Sequence, residues 1–344
     1  MRRSVPALIL IAAAAAGCGG GGPTNPNGTP TPVPGSPVNG FVFYDENGNG
    51  TLDPSEVVRL PSSGVIVGGV TAATTTGGRF SISSVPNGPQ TAQTQGGALP
   101  SYFTPGAAVS ITVPATGDVA IPAVLAISGH TTPNVYLAFG DSITAGDGSS
   151  TGDGYTRYLE EDLRAFWGKA SVWKDGIPGT KSDKGAARLG TSLNQARPAY
   201  VLILYGTNDW NDGECRDNFP CYTIDSLRAM VDRTRGFGAF PIVGTIPPVN
   251  PNWVDKFPTQ RNDWVKRMND EIRAMAQQEN VTVAEIYGAF MKQPSLPPLY
   301  SDYLHPNDAG YQLIKGAFFN VITNPISAPA SSSRSFFSWP FGGR

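Results

Sequence analysis

Histidine is almost absent from this chain: there are two in 344 residues, His130 and His305. Cysteine is nearly as scarce, at three. A metal centre built from clustered imidazoles and thiolates has no basis here, and any imidazole chemistry must use one of two positions. Charge is thin as well. Charged residues make up 15% of the chain, and 25 Lys+Arg against 27 Asp+Glu leave a formal net charge of -2. That balance offers no cationic footprint for nucleic acid. Long apolar runs are also missing: the stretch from Val5 to Ala16 is shorter than the ~20 residues of a membrane-spanning helix. Glycine (41) and proline (31) are plentiful, and they concentrate towards the N-terminal end. The composition is that of a soluble, globular, mildly acidic protein, long enough for two domains.

The opening "MRRSVPALILIAAAAAGC" has two arginines, an apolar run and then Gly-Cys. It fits a secretory signal over residues 1–18. Small residues before Cys18 resemble a bacterial lipobox, which implies that Cys18 becomes the lipidated first residue of an exported protein anchored to a bacterial membrane or cell surface. Ordinary signal cleavage nearby, with Cys18 incidental, is the other reading. Cys215 and Cys221 lie close together in the polar stretch "GECRDNFPCY". In an exported protein they are expected to form a short-range disulfide, the alternative being two free thiols. That pairing leaves Cys18 as the odd cysteine, and lipidation accounts for it.

Residues 19–38, "GGGGPTNPNGTPTPVPGSPV", have little to bury and read as a flexible-to-extended spacer. From 39 to 126 short alternating runs ("GFVFY", "VIVGGV", "RFSISSV", "VSITV") are separated by Gly/Pro/Asn turns. Helical periodicity is absent, so a small all-β sandwich is expected. From 133 to 323 the pattern changes. The apolar runs "VYLAF", "YVLILYG" and "PIVGTI" alternate with amphipathic stretches such as "GYTRYLEEDLRAFWG", "TIDSLRAMVDRTRG" and "RNDWVKRMNDEIRAMAQQ". This predicts an α/β domain with a parallel sheet covered by helices on both faces. Its site should lie at the carboxyl ends of the strands. Residues 324–344 form a Ser/Pro-rich, aromatic tail whose role the sequence leaves open.

Ser142 directly follows the run "VYLAFGD", and a hydroxyl nucleophile needs a base, usually histidine. His305 stands three residues after Asp302 in "SDYLHPNDAG". A D-x-x-H turn can fold the carboxylate onto one ring nitrogen and leave the other for the serine. Asn208, in "YGTNDWND" after another strand, offers an NH₂ donor to a developing oxyanion, and Gly179, in "KDGIPGTKS", offers a backbone N–H. Each has a plainer explanation by itself: a helix-start histidine, a turn acid, a capping asparagine, a glycine at positive φ. Their joint occurrence favours a hydrolytic site. Trp210, Trp253 and Phe257 are expected to wall the pocket, the alternative being ordinary packing.

The blocks "GDSIT", "GIPGT", "GTND" and "DYLHP" occur in the order found in SGNH hydrolases, the GDSL-like esterase/lipase superfamily, and the resemblance covers roughly residues 133–323. It implies a three-layer, flavodoxin-like sheet and a carboxylic ester hydrolase working through an acyl-enzyme. Ser142 is then the nucleophile, His305 the base and Asp302 its orienter, with Ser142 N–H, Gly179 N–H and Asn208 as oxyanion donors. No cofactor is needed for catalysis. Lys174 stands where the second block often has asparagine. The implied substrate is an ester, whether an acylated polysaccharide, a lipid or a short-chain ester, and a monomer is expected. A non-catalytic surface adhesin using the β module is the rival from another class.

"DENGNGTLDPSE" carries Asp45, Asn47, Asn49 and Glu56 at calcium-loop spacing, with Gly50 for the sharp turn. Hard oxygen donors at alternating positions suit Ca²⁺. The flanks "FVFY" and "VVRL" are not helical, so the segment resembles the first calcium loop of SdrD B-like repeats of bacterial surface proteins. That resemblance adds Thr51 and Asp53 to the ligand set. A polar hairpin without metal is the alternative.

Overall fold

The computed structural model describes residues 34–100, 102–125 and 130–323. Cys18 and the 324–344 tail lie outside the described residues, as does most of the Gly/Pro-rich stretch. The N-terminal alternating runs form β1 (Gly35–Tyr44), β2 (Gly64–Val67), β3 (Val70–Ala73), β4 (Arg79–Pro86), β5 (Gly88–Thr94), β6 (Phe103–Pro105), β7 (Val109–Val113) and β8 (Val119–Leu125). They make two four-stranded sheets, β4-β1-β8-β6 and β3-β2-β5-β7. All pairings are antiparallel except β1 with β8. Val42, Val65, Val67, Val85 and Ile121 are fully buried in their shared core. β1 starts at Gly35, inside the stretch read as spacer. Its first residues have almost no side chain to bury, but their backbone pairs with β4 (Gly35 opposite Pro86), and backbone pairing is blind to side-chain composition.

The second half contains β9 (Thr132–Gly140), β10 (Ser171–Gly176), β11 (Pro198–Leu204), β12 (Phe240–Gly244) and β13 (Thr282–Ala284). They form one wholly parallel sheet in the order β10-β9-β11-β12-β13. This is the flavodoxin-like order, with its topological switch between β9 and β11. The helices are α1 (Ser142–Ala145), α2 (Gly154–Trp167), α3 (Ser182–Ala196), α4 (Gly213–Asp217), α5 (Thr223–Phe237), α6 (Pro258–Glu279), α7 (Ile286–Met291) and α8 (Asp308–Thr323).

Strand alternation explains why the sheet is covered twice. Tyr136 and Ala138 of β9, with Tyr200, Leu202 and Leu204 of β11, pack in one cluster with Leu159 and Leu163 of α2 and Ile314 and Phe318 of α8. Their neighbours Leu137, Phe139, Val201 and Ile203 face the other way, towards Leu189 and Leu193 of α3, Leu227 and Met230 of α5, and Met268 of α6. Each such fully buried Leu or Ile contributes about 1.5–3 kcal/mol. An element with weak local propensity can therefore be held by its neighbours. α3 is such a case: "SDKGAARLGTSLNQA" has two interior glycines, but Gly185 sits where a Cβ would meet the Tyr205 ring at 2.7 Å.

The β module is not a free-standing spacer element. Tyr102 lies against Tyr200 and Phe240 (ring centroids 5.5 and 4.5 Å) and donates to Thr282 Oγ1. Phe103 packs on Trp167. Glu46 accepts from Asn134 Nδ2 (2.8 Å) and from Lys169 Nζ (2.9 Å), tying the Asp45–Glu56 turn to the beginning of β9 and the end of α2.

Candidate active site

β9 ends in Gly140 and the chain turns at once into α1, whose first residue is Ser142. Asp141 is the N-cap, accepting from Ile143 N at 3.0 Å. A serine placed there sits at the carboxyl edge of the sheet with its N–H among the unpaired donors of a helix start. β11 delivers Asn208 across the switch point, and the turn after β10 delivers Gly179. Arg188 of α3 pins these strand ends. Its guanidinium donates to Asp175 Oδ1 (2.6 Å), Gly140 O (3.0 Å) and Tyr205 Oη (2.8 Å), and lies 4.0 Å from the Phe139 ring centre.

The predicted acid and base meet the serine. His305 Nε2 is 2.9 Å from Ser142 Oγ, and His305 Nδ1 is 2.7 Å from Asp302 Oδ2. With the proton on Nδ1, the ring donates to Asp302 and accepts from the serine hydroxyl. The other oxygen of Asp302 accepts from Leu304 N (2.7 Å) and His305 N (2.6 Å). Burial alone would raise the Asp302 pKa. The donors from His305 backbone, His305 ring and Leu304 outweigh it and hold the carboxyl below its ordinary value. Gly148 makes room for this turn: at φ +89°, a Cβ would collide with Ser301 Oγ and the Pro306 carbonyl. His130, the other histidine, lies before the start of β9, where its carbonyl accepts from Arg197 Nε.

Gly179 adopts φ +72° with open space around its Cα. Among the described residues, neither its N–H nor that of Ser142 has a protein acceptor. Asn208 Nδ2 donates to Thr180 O (3.1 Å) and to Asp141 Oδ2 (3.2 Å), so its amide is already aimed between the serine turn and the Gly179 turn. Two buried acids that sequence reasoning left without a role do this aiming. Asp209 accepts from Ser182 N (2.9 Å), Ser182 Oγ (2.5 Å) and Thr223 Oγ1 (2.7 Å), which fastens the Asn208 turn to the starts of α3 and α5. Burial raises its pKa despite those donors. Asp141 is fully enclosed, and desolvation pushes its pKa up to about 7. The signal for Asp141 was present in the sequence: an aspartate immediately before a helix start is an N-cap. For Asp209 no local signal existed.

Trp210 and Trp253 fare differently. Trp210 is almost buried, with the Arg261 guanidinium 4.1 Å from its ring centre, whereas Trp253 is 42% exposed with its ring 6.5 Å from that of Tyr303. Phe257 is also exposed and lies 6.4 Å from Trp210. Cys215 and Cys221 form a disulfide (Cα–Cα 4.7 Å) in the loop beyond Trp210.

In the Asp45–Glu56 turn, Asp45 accepts from Gly48, Asn49 and Gly50 N–H, and Glu56 from Glu46 and Asp53 N–H. Asp53 Oδ2 takes the side-chain amides of Asn47 (2.7 Å) and Asn49 (2.9 Å). The donor set consists of oxygens only and fits a hard cation. Asp45 and Glu56 are nearly fully buried. Thr51 is exposed, and its N–H donates to Asn49 Oδ1. Among the described residues, no group of three His, Cys, Asp or Glu side chains is already arranged around one point.

Comparison with known proteins adds to this geometry. The chain is 31% identical over 124 residues to "Esterase TesA" of Pseudomonas aeruginosa, an alignment that covers 35% of this chain and 60% of that protein. It is 28% identical over 178 residues to "Thioesterase 1/protease 1/lysophospholipase L1" of Escherichia coli strain K12, covering 50% of this chain and 74% of that one. Among solved structures, the acetylxylan esterase Axe2 of Geobacillus stearothermophilus aligns at 21% identity and TM-score 0.46, over 59% of this chain and all of that one. A lipase/acylhydrolase of Enterococcus faecalis aligns at 22% identity and TM-score 0.47, over 55% of this chain and 95% of that chain. The family described as GDSL-like Lipase/Acylhydrolase matches residues 138–313, slightly more than half of the chain. The chain belongs to the GDSL-like lipase/acylhydrolase family.

Proposed function

We propose that this protein is a serine ester hydrolase that forms and breaks an acyl-enzyme at Ser142. The observation that carries the reading is the continuous relay Ser142 Oγ–His305–Asp302, at 2.9 and 2.7 Å. His305 Nε2 removes the hydroxyl proton as Oγ attacks the ester carbonyl, and Asp302 keeps the second ring proton on Nδ1. The tetrahedral oxyanion is received by Ser142 N–H, Gly179 N–H and the Asn208 amide, which exchanges one of its present acceptors for it. His305 then protonates the departing alcohol. In the second half it activates water, which releases the acid and restores Ser142.

The signal-like start supports export, and Cys18 supports a lipid anchor; the hydrolase then works at the cell envelope on an acylated polysaccharide, lipid or short-chain ester. The Asp45–Glu56 turn supports a calcium ion held by Asp45, Asn47, Asn49, Thr51, Asp53 and Glu56. Bound there, calcium would supply charge to a turn that Glu46 ties to the catalytic half, and no chemical step.

The test is hydrolysis of p-nitrophenyl esters from acetate to long acyl chains by wild type and Ser142→Ala. Turnover by the wild type with at least a thousandfold loss in the variant is expected, on the order of a lost nucleophile. Equal inertness of both proteins overturns the reading and leaves the β module as the functional part, as in an adhesin.

A further inference from the structure

After β12, positions 245–250 ("TIPPVN") belong to no helix or strand, yet all of them are buried. A buried segment of this kind must place each backbone N–H on a partner. Pro247 and Pro248 have none to place. Thr245 N donates to Ala284 O (3.0 Å), Ile246 N to Asn269 Oδ1 (2.7 Å), Val249 N to Asn262 Oδ1 (2.7 Å) and Asn250 N to Tyr303 O (2.9 Å). Every N–H is met, and two of the acceptors are asparagine side chains on α6.

Asparagine is a poor residue for a helix interior, and α6 carries it at both of these positions. Asn269 Nδ2 donates to Ile246 O (2.9 Å) and Asn262 Nδ2 to Val249 O (3.1 Å), so each amide bonds both the N–H and the carbonyl of one residue in the segment. Seven residues of helix rise about 10.5 Å, and three residues of extended chain span about 10 Å. Positions 269 and 262 therefore match 246 and 249, and α6 serves the segment as a neighbouring strand would. The Tyr300 hydroxyl adds a further tie, to Pro248 O.

The end of this braced segment meets the acid–base turn. Asn250 N donates to Tyr303 O, Asn250 Nδ2 donates to Asp302 O (3.2 Å), and Asn250 Oδ1 accepts from Asn252 N (3.1 Å). An asparagine that only shaped its own loop would need no more than the bond to Asn252. The Nδ2 bond goes instead to the residue whose carboxylate orients His305. Within the turn, that carboxylate takes the N–H groups of Leu304 and His305, and Ser301 N donates to His305 O (3.0 Å). The carbonyls of 302 and 303 are held, among the described residues, by Asn250. The side chains of Asp302 and His305 are 38% and 20% exposed. Packing does not enclose them, so their aim depends on the backbone that carries them.

We propose that Asn250 is a positioning residue for the hydrolysis at Ser142. Braced by α6 through Asn262, it fixes the backbone of the Asp302–His305 turn. Asp302 Oδ2 is thereby kept on His305 Nδ1, and His305 Nε2 on Ser142 Oγ. The kinetic consequence rests on the esterase reading; the hold on the turn does not.

The test uses the full chain carrying Asn250→Ala or Asn250→Ser. The serine hydroxyl can still accept from Asn252 N but is too short to reach Asp302 O, which gives a milder variant should the alanine protein fail to fold. On the p-nitrophenyl ester that wild type hydrolyses best, both variants should lose kcat about ten- to a hundredfold, with KM within about twofold. Misplacement of a catalytic group by about 1 Å costs on that order. No loss, or a loss confined to KM, overturns the proposal. The second readout is the downfield proton NMR signal of an imidazole Nδ1–H bonded to a carboxylate, in a chain with only two histidines. It should be present in wild type, vanish with Asp302→Ala, and broaden or move upfield in both Asn250 variants as water reaches the proton. A residue that merely stabilises its loop would lower Tm and leave that signal in place. A signal absent from wild type or unmoved in the folded variants therefore overturns the proposal, as does loss of the fold in both. Wild type inert towards every ester, with the signal responding as expected, would refute the esterase and keep the brace; hydrolysis with an unmoved signal would do the reverse.

Discussion

Replacing Asp141 by asparagine should change how stability depends on pH more than it changes the fold. Asp141 is 1% exposed, and desolvation lifts its pKa from the ordinary 3.8 to about 7; the Ile143 N–H lowers it, the Asp209 charge raises it, and the His305 contribution lowers it. An acid whose folded pKa is raised contributes fully below its unfolded pKa. It loses that contribution as pH rises through the folded pKa, because the native state holds the proton longer than the unfolded chain does. The window therefore runs from about pH 4 to pH 7. Three units at about 1.36 kcal/mol each give a swing on the order of 4 kcal/mol. Asp141→Asn removes this titration but keeps a carbonyl oxygen able to accept from Ile143 N. The assay is urea unfolding of both proteins at several pH values from 4.5 to 8. Effects of groups that do not interact with Asp141 cancel in the difference between the two. Wild type should lose ground to the variant by about 1.4 kcal/mol per pH unit below pH 7 and then level off. A difference that stays constant across that range would refute the argument that burial governs this carboxyl.

Two further outcomes follow from other parts of the molecule. Asn208→Ala removes one oxyanion donor and should lower kcat by about 10²–10³, roughly 2.7–4 kcal/mol of transition-state stabilisation; stopped assays on the ester that wild type hydrolyses best would show it, and an unchanged kcat would remove Asn208 from the reaction. Calcium at about a hundred times its Kd should add about 2.7 kcal/mol to the stability of the folded chain, read as a rise in Tm that EDTA reverses. Asp45→Ala should abolish that rise, and a Tm indifferent to calcium in the wild type would leave the turn as a plain hairpin.

Several features are legible in the sequence because they are local. The runs around β9, β11 and β12 are continuous and apolar, which only a sheet covered on both faces can use. The D-x-x-H spacing closes within one turn, so Asp302 and His305 meet whatever surrounds them. Other elements gave no such signal. β10 is a polar edge strand, "SVWKDG", and β13 is three residues long; both exist because a neighbouring strand offers them hydrogen bonds. α3 is held by what it packs against, not by its glycine-interrupted sequence. The stretch from Gly35 looked like spacer because composition reports side chains, while β1 is secured there by backbone pairing with β4.

By itself, then, the sequence determined the candidate residues that the proposed reaction would use and the alternation that builds the parallel sheet. Both follow from short-range spacing and from the two-residue period of a strand. Only the tertiary structure decided that Ser142 and His305, 163 positions apart, share a hydrogen bond. It alone fastened the Asn208 turn to α3 and α5 through Asp209 and docked the β module onto β9 and α2 through Glu46. It also placed Arg261 against the Trp210 ring, with no carboxylate partner among the described residues. These depend on which distant surfaces exclude water together, and no spacing along the chain encodes that directly.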